Sequence, residues 1–173
     1  MKILAFAASN SRNSINRQLI QYAVSLLQNA EVEIIDIHDY EMPIFSVDRE
    51  QELGQPPEAQ QFFKKIGEAD ALLISFAEHN GSYTAAYKNL YDWSSRIDPK
   101  VFQGKPMVLL STSPGPGGAQ NVLGMATHSA PYFGGTVKAS LSIPSFYQNF
   151  NEEAGVLINP ELHTQLETAL ASF

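Results

Sequence analysis

The feature that most constrains the fold of this chain is a strict alternation between strand-like and helix-like patterns. Five apolar runs have the length of strands, and they cover Ile3 to Ala8, Val32 to Ile37, Ala71 to Ala77, Met107 to Leu110 and Val137 to Ile143. Most of these runs are apolar at consecutive positions, which is typical of strands that are covered on both faces. The runs therefore predict a parallel sheet.

Helical patterns fill the segments between the runs. Apolar residues share one face from Ile15 to Leu27, from Ala59 to Ile66, from about Thr84 to Arg96, and again after Gly117-Gly118. A last helix is predicted to begin at Asn159-Pro160, an N-cap residue followed by proline at the first helical position. Five strands and five helices in this order predict one flavodoxin-like α/β domain over residues 1–173, with a doubly wound parallel sheet and helices on both faces.

One irregular stretch interrupts the alternation. It runs from Asp39 to Pro56 and is longer than most connections between a strand and a helix. We expect it to shape the rim of a site or an oligomer contact, and not to mark a domain boundary.

Composition and charge limit the classes of partner. The 173 residues are 44% hydrophobic and 17% charged, a balance that suits a globular domain with a full core. The net charge of −7 disfavours nucleic acid and anionic membrane surfaces as partners. The chain has no cysteine, and its four histidines lack the spacing of metal ligands, so we expect no metal site.

The opening residues are interpreted as the first strand and not as a signal peptide. Their apolar run ends at Ala8, and polar residues follow from Asn10 to Asn13. No other segment is apolar over the roughly 18–20 residues that a membrane span needs. We therefore expect a soluble, cytoplasmic protein.

The loop after the first strand has the composition of a phosphate site. Ligands of open parallel sheets bind at the carboxyl ends of the strands, where the start of a helix offers unpaired N–H groups and a positive dipole. The candidate residues here are Ser9, Ser11, Arg12, Ser14, Ile15 and Asn16. Arg12 would add charge and a forked hydrogen bond. The alternative is that Ser9 or Ser14 only caps the helix and that Arg12 is solvated.

Two further loops leave the same predicted edge, after the third and fourth strands. Their candidate residues are Glu78, His79, Asn80, Gly81 and Ser82, followed by Ser113, Pro114, Gly115, Gly117 and Gly118. Glycine and small polar residues let a backbone approach the edge of a flat ligand. Ordinary turn chemistry explains Gly115 to Gly118 equally well. His79 could act as an acid near neutral pH, but packing at the rim is the favoured interpretation.

Several well-known sites are excluded by their missing motifs. No GxxxxGK[ST] motif occurs and no GxGxxG follows the first strand, which argues against a P-loop NTPase and an ordinary Rossmann dehydrogenase. A receiver domain would need acidic residues at the end of the first strand and an Asp after the third, where the chain has Ala8-Ser9 and Ala77-Glu78, and Glu78 alone is weak support. The absence of a GxSxG elbow argues against a hydrolase of that type.

The three loops carry motifs of a known family. The first loop matches the pattern GSxRxxSxN at Ser9, Arg12, Ser14 and Asn16. The second loop and the helix after it match PEYNxSxPGxLKNAIDW at Glu78, Asn80, Ser82, Lys88-Asn89 and Asp92-Trp93. The third loop, Ser111 to Gly118, matches a family loop that ends in Gly-Gly. With these motifs the chain resembles the NADPH-dependent FMN reductase family, a flavodoxin-like group that contains chromate, quinone and azo-dye reductases.

The resemblance implies noncovalent FMN, with its phosphate at Ser9 to Asn16 and its ring between the loops at Glu78 and Ser113. It also implies NADPH or NADH as co-substrate, hydride chemistry on the flavin without a catalytic side chain, and ping-pong transfer to small quinone-, azo- or metal-oxyanion-type acceptors. A homodimer or homotetramer is expected, because relatives are commonly oligomers and because the third helix is aromatic around much of its surface.

The sequence also departs from the family pattern beside the expected ring. Ala77 stands where the family has proline, and His79 stands where it has tyrosine. Two alternatives therefore stay open: a noncatalytic FMN-binding electron carrier or sensor, and a flavin-free interaction domain of the same fold.

Overall fold

Five parallel strands form the central sheet of the computed structural model, which describes residues 1–173. The strands are β1 (Lys2–Ala8), β2 (Glu31–Ile34), β3 (Ala71–Phe76), β4 (Pro106–Thr112) and β5 (Thr136–Ile143). Their order across the sheet is β2-β1-β3-β4-β5, and every neighbouring pair is parallel. This arrangement confirms the predicted flavodoxin-like, doubly wound fold.

Seven α-helices and a short hairpin complete the chain. The helices are α1 (Ile15–Ser25), α2 (Val47–Leu53), α3 (Pro57–Glu68), α4 (Ala85–Ile97), α5 (Gln120–Ser129), α6 (Phe146–Asn149) and α7 (Pro160–Leu170). Strands β6 (Phe150–Asn151) and β7 (Val156–Leu157) pair in antiparallel fashion outside the main sheet. No helix combines the length and the apolar character that crossing a bilayer requires, since the longest, α4, has 13 residues.

The sheet divides the core into two layers because side chains alternate between its faces. Leu4 and Phe6 of β1 point toward α3, α4 and α5, where they pack with Phe62 and Tyr87. Ile3 and Ala5 lie on the opposite face, in the cluster that includes residues of α1, α6 and α7. The consecutive apolar residues of the strands therefore serve both layers, as their pattern predicts.

The structure corrects the boundaries of two predicted strands. β2 ends at Ile34 and not at Ile37, because Ile37–Tyr40 forms a 3-10 turn in which the side chain of Asp36 accepts a hydrogen bond from the His38 N–H. β4 is longer than predicted and continues through the buried polar residues Ser111 and Thr112. The Thr112 hydroxyl donates to the Ile143 carbonyl at 2.8 Å, which satisfies its hydrogen bonding inside the core.

The prediction of five helices is also wrong, since the chain has seven. α2 lies inside the stretch from Asp39 to Pro56. None of its residues is buried, so its sequence has no apolar stripe from which a helix could be predicted. Its start signal is Ser46, whose hydroxyl accepts the Arg49 N–H at 3.1 Å. α6 has a single turn, which is too short for a periodic pattern.

An ion pair joins the edge strand β2 to its neighbours. Lys65 of α3 donates a short hydrogen bond to Glu33, and the Lys2 ammonium lies 3.7 Å from the same carboxylate. The hydrogen bond from Lys65 lowers the pKa of Glu33 below its ordinary value of 4.5. Since β2 has no fully buried side chain, this pair contributes to holding the strand in place.

We predict that Glu33→Gln destabilises the fold in a pH-dependent way. A carboxylate with a lowered folded-state pKa stabilises the protein above its unfolded pKa, and this contribution is lost as the pH falls through the folded value. E33Q should lower the free energy of unfolding by no more than about 1 kcal/mol at neutral pH, since the pair is partly solvated. Urea denaturation should show this difference shrinking as the pH falls from 4.5 through the lowered folded-state pKa of Glu33.

The matched control is Glu31→Gln, because Glu31 lies on the same strand, is exposed and has no ion pair. E31Q should leave stability unchanged at both pH values. An E33Q deficit that stays the same in acid would contradict the assignment.

Candidate functional site

The loops after β1, β3 and β4 begin side by side at one edge of the sheet. Ala8 at the end of β1 pairs with Phe76 at the end of β3, and Phe76 pairs with Ser111 near the end of β4. All three sequence-predicted loops therefore leave the sheet from adjacent positions. This is the edge at which parallel sheets bind their ligands.

Asn16 connects the first of these loops to the other two strands. Its side chain is 2% exposed, and its Nδ2 donates to the Thr112 carbonyl at 3.1 Å. Its Oδ1 accepts the Thr112 N–H at 3.1 Å and the Ser75 hydroxyl at 2.7 Å. The amide oxygen and one amide N–H of Asn16 are therefore used inside the protein, while its backbone N–H has no protein acceptor.

The start of α1 presents free backbone donors. Ser14 is the N-cap, and its Oγ accepts the Arg17 N–H at 3.2 Å, so the capping alternative holds for this residue. The N–H groups of Ile15 and Asn16 have no acceptor within the protein. Such groups, together with the helix dipole, favour an anion at this position.

Two serines and an arginine complete the donor set of the first loop. The buried Ser9 hydroxyl accepts the Ser11 N–H at 3.3 Å, which shapes the turn before the helix. Arg12 is exposed and has no carboxylate partner, whereas Arg17 on the same face pairs with Asp36 at 2.6 Å. Arg12 is therefore the cation of this loop that is free to bind an anion.

The loop after β3 contains a tight two-residue turn. The backbones of His79 and Ser82 exchange hydrogen bonds of 3.0 and 3.1 Å around Asn80 and Gly81, which have φ values of 53° and 77°. Asn-Gly suits this turn because both central residues need positive φ. The N–H groups of Asn80 and Gly81 have no protein acceptor. His79 is exposed at the start of this turn.

Glu78 links this loop to the start of α5. Its carboxylate accepts the Val122 N–H at 2.9 Å and the Asn121 side-chain amide at 3.2 Å. A negative charge is favourable at a helix N-terminus. Glu78 therefore positions the second and third loops against each other.

The third loop is a turn, as its glycines and proline allow. Gly118 donates its N–H to the Gly115 carbonyl at 3.3 Å, and its own carbonyl accepts the hydroxyls of Ser111 and Ser142 at 2.7 and 2.8 Å. Gly118 has a φ of 57°, and an added Cβ would lie 2.1 Å from the Ser142 Oγ. Its absence of a side chain is thus required for packing, and no polar group of Gly118 is free for a ligand.

The remaining residues of the third loop are open to a ligand. Gly115 and Gly117 have nothing within 4 Å of an added Cβ, and their N–H groups lack protein acceptors. Pro114 is exposed, while the Ser113 hydroxyl donates to the Gly115 carbonyl at 3.3 Å. The Ser113 carbonyl accepts the Phe146 N–H at 3.0 Å, which holds the loop against the chain after β5.

Thr84 is a site residue that the sequence analysis missed. It is buried, its hydroxyl donates to the Ala8 carbonyl at 3.0 Å, and the same oxygen accepts the Tyr87 N–H at 3.2 Å. It therefore caps α4 and ties the second loop to the end of β1. A threonine directly before a helical pattern is an N-cap signal that could have identified it.

The chain is similar to known proteins over most of its length. Residues 1–148 match the sequence profile described as NADPH-dependent FMN reductase. The chain belongs to this family. An NADPH:quinone oxidoreductase of Arabidopsis thaliana is 33% identical over 125 residues, which are 70% of this chain and 62% of that protein. An NAD(P)H-dependent FMN reductase of Pseudomonas aeruginosa is 34% identical over 116 residues, or 66% of this chain and 61% of that protein.

The match therefore spans less than two thirds of these relatives. Solved structures extend the likeness of fold to the whole chain. The flavoenzyme NAD(P)H:(acceptor) oxidoreductase FerB from Paracoccus denitrificans superimposes with a TM-score of 0.78 at 21% identity, covering 99% of this chain and 93% of that one. The azoreductase AzrA gives a TM-score of 0.68 at 16% identity, covering 100% of both chains.

We predict that Asn16→Ala destabilises the protein strongly. The substitution leaves buried groups of Thr112 and Ser75 without partners, which should lower the free energy of unfolding by about 2–3 kcal/mol. The control is Asn13→Ala, an exposed asparagine in the same loop, with an expected change within about 0.5 kcal/mol. Equal effects of the two variants in urea denaturation would contradict the role assigned to Asn16.

Proposed function

We propose that this protein is an FMN-dependent oxidoreductase that takes hydride from NADPH or NADH and reduces small quinone-, azo- or metal-oxyanion-type acceptors by a ping-pong mechanism. The observation that carries this proposal is the set of unpaired donors on one sheet edge. They comprise the start of α1 with Arg12, and the two glycine-containing turns beside it. Membership of the family selects FMN as the ligand that uses all three loops.

The first loop suits the phosphate group of FMN. The N–H groups of Ile15 and Asn16 would bind its oxygens, and the hydroxyls of Ser9 and Ser11 lie in the same loop. The guanidinium of Arg12 would supply positive charge and paired hydrogen bonds. A phosphate monoester fits this donor set because its three terminal oxygens need several donors.

The second and third loops suit the edge of the flavin ring. FMN, when bound, supplies the hydride and electron chemistry of the site. The N–H groups of Asn80, Gly81, Gly115 and Gly117 are free to donate to that edge and to stabilise negative charge on it. Glu78 holds the two turns in place through α5, so these donors are positioned before the ligand arrives.

We also propose that the chain forms one domain over residues 1–173 and functions in the cytoplasm as a homodimer or homotetramer. The aromatic surface of α4 supports an oligomer less than the sequence predicts, because Tyr87, Leu90 and Trp93 are already buried within one chain. The support that remains is the exposure of Met125 and Tyr132, which are 40% and 66% exposed on the same side of the sheet.

A spectrum followed by a turnover assay tests the proposal. Purified protein should be yellow, or become so on adding FMN, and should oxidise NADPH or NADH when a quinone is present. Initial rates at several fixed quinone concentrations should give parallel double-reciprocal lines. Flavin binding with negligible turnover would instead identify a carrier or sensor, and a protein that binds no flavin would identify an interaction domain.

We predict that Arg12→Ala weakens FMN binding by about 1.5–3 kcal/mol, the scale of a hydrogen bond to a charged group. Fluorescence titration of the flavin-free protein with FMN measures the change. Arg49→Ala is the control, since Arg49 is exposed on α2 and its side chain has no ion-pair partner. Unchanged FMN affinity in R12A would remove the phosphate assignment.

A further inference from the structure

The stretch from Asp39 to Pro56 forms one wall of a pocket beside the proposed flavin site. The pocket has a volume of about 440 Å³ and is lined on this wall by Met42, Ile44 and Phe45. The opposite wall is the start of α4, where the small side chains of Ala85 and Ala86 line the pocket. A pocket of this volume is within the range that holds small molecules.

Asn10 places this pocket next to the proposed flavin site. It lines the pocket and also belongs to the loop that carries Ser9, Ser11 and Arg12. Ala85 directly follows the loop that contains Asn80 and Gly81. A ligand in the pocket would therefore lie beside the first and second loops.

The Met42–Phe45 segment has no regular structure of its own, and Asn89 of α4 holds it. The Asn89 Oδ1 accepts the Phe45 N–H at 2.8 Å. The Asn89 Nδ2 donates to the carbonyls of Met42 and Pro43 at 3.1 and 3.2 Å. One side chain thus fixes three backbone groups of the wall.

Trp93, one turn further along α4, holds the same segment. Its indole N–H donates to the Pro43 carbonyl at 2.8 Å, and its ring packs edge-to-face on Phe45 with centroids 5.1 Å apart. Arg96 lies 5.8 Å from the centre of the Phe45 ring. These contacts allow Ile44 to remain 80% exposed at the pocket while its backbone is fixed.

The lining of the pocket favours a neutral, apolar ligand. Seven of its twelve residues are hydrophobic. The side chains that carry charge at neutral pH are Glu41, Asp92 and Lys88, and Lys88 is already paired with Asp92 at 2.7 Å. Glu41 has no lysine or arginine partner, and its nearest basic group is the His38 Nδ1 at 3.4 Å, so the pocket offers no free lysine or arginine to an anion such as the pyrophosphate of a dinucleotide.

We propose that Asn89 is a positioning residue that holds Met42–Phe45 as the wall of the electron-acceptor subsite, and that this subsite selects flat, neutral, apolar acceptors of the quinone type. The inference rests on the proposed function, because it assigns a subsite to the oxidant of that reaction. Asn89 acts through the wall and touches no reacting atom.

The test compares Asn89→Ala with Asn29→Ala, an exposed asparagine after α1 with no hydrogen bond of its side chain. The acceptors are 1,4-naphthoquinone and ferricyanide, since ferricyanide is anionic and accepts electrons without entering an apolar pocket. N89A should raise the KM for naphthoquinone by about tenfold, as expected when an ordered wall is lost. The KM for ferricyanide and the Kd for FMN should change by less than about twofold, and N29A should change none of them.

Trp93 gives a second readout that needs no flavin, because it is the only tryptophan of the chain and contacts the wall. Naphthoquinone should quench its fluorescence saturably in flavin-free protein, with a Kd about tenfold higher in N89A. Ile44→Ala removes an exposed wall side chain and keeps the Asn89 hydrogen bonds, and it should also raise this Kd. If N89A fails to fold, the Kd of I44A for naphthoquinone tests whether the wall binds the acceptor.

Unchanged naphthoquinone binding in N89A and I44A would overturn the proposal, as would an equal loss for both acceptors or a loss of FMN affinity in N89A. The two proposals fail separately. Saturable quenching of Trp93 in a protein that binds no flavin would remove the proposed function and keep the pocket. A yellow, active protein with only linear, unsaturable quenching would remove the subsite and keep the function.

Discussion

The buried amide of Asn16 is the interaction on which the site depends. A parallel sheet places the ends of β1, β3 and β4 near one another, but it does not by itself fix the loops that follow. Asn16 does so by pairing with the Thr112 backbone in both directions while accepting the Ser75 hydroxyl. A close-packed interior keeps such a buried, hydrogen-bonded polar group rigid. The start of α1, where we propose that a phosphate binds, is thereby held at a fixed place beside the other two loops.

The other two loops are fixed by similar contacts from neighbouring elements. Glu78 reaches from the β3 loop to the N-terminus of α5, and Thr84 reaches from the start of α4 to the Ala8 carbonyl. Gly118 lets the β4 loop approach Ser142 closely. Side chains at the site therefore mainly position backbone, and backbone N–H groups are left to bind the ligand. This division suits a reaction whose chemistry belongs to a cofactor.

Sequence reasoning predicted which three loops lie at one edge of the sheet, because topology fixes their positions. The alternation of apolar runs predicts the sheet, and the sheet predicts which loops meet. The contacts of individual side chains could not be predicted in this way. Asn16 binds Thr112, which is 96 residues away in sequence, and Glu78 binds Val122, which is 44 residues away. α2 escaped prediction because it buries no residue. The hydrogen bond that Asn89 donates to Met42 and the one that it accepts from Phe45 likewise join residues without any local pattern.

The central claim is that the helix start and Arg12 bind a phosphate while the adjoining turns bind a ring. Titrating the flavin-free protein with FMN and with riboflavin, which lacks the phosphate, tests it most directly. The account predicts saturable binding of FMN and binding of riboflavin that is weaker by at least about tenfold, the equivalent of one charge-assisted hydrogen bond. Equal affinity for the two flavins, or binding of neither, would contradict it.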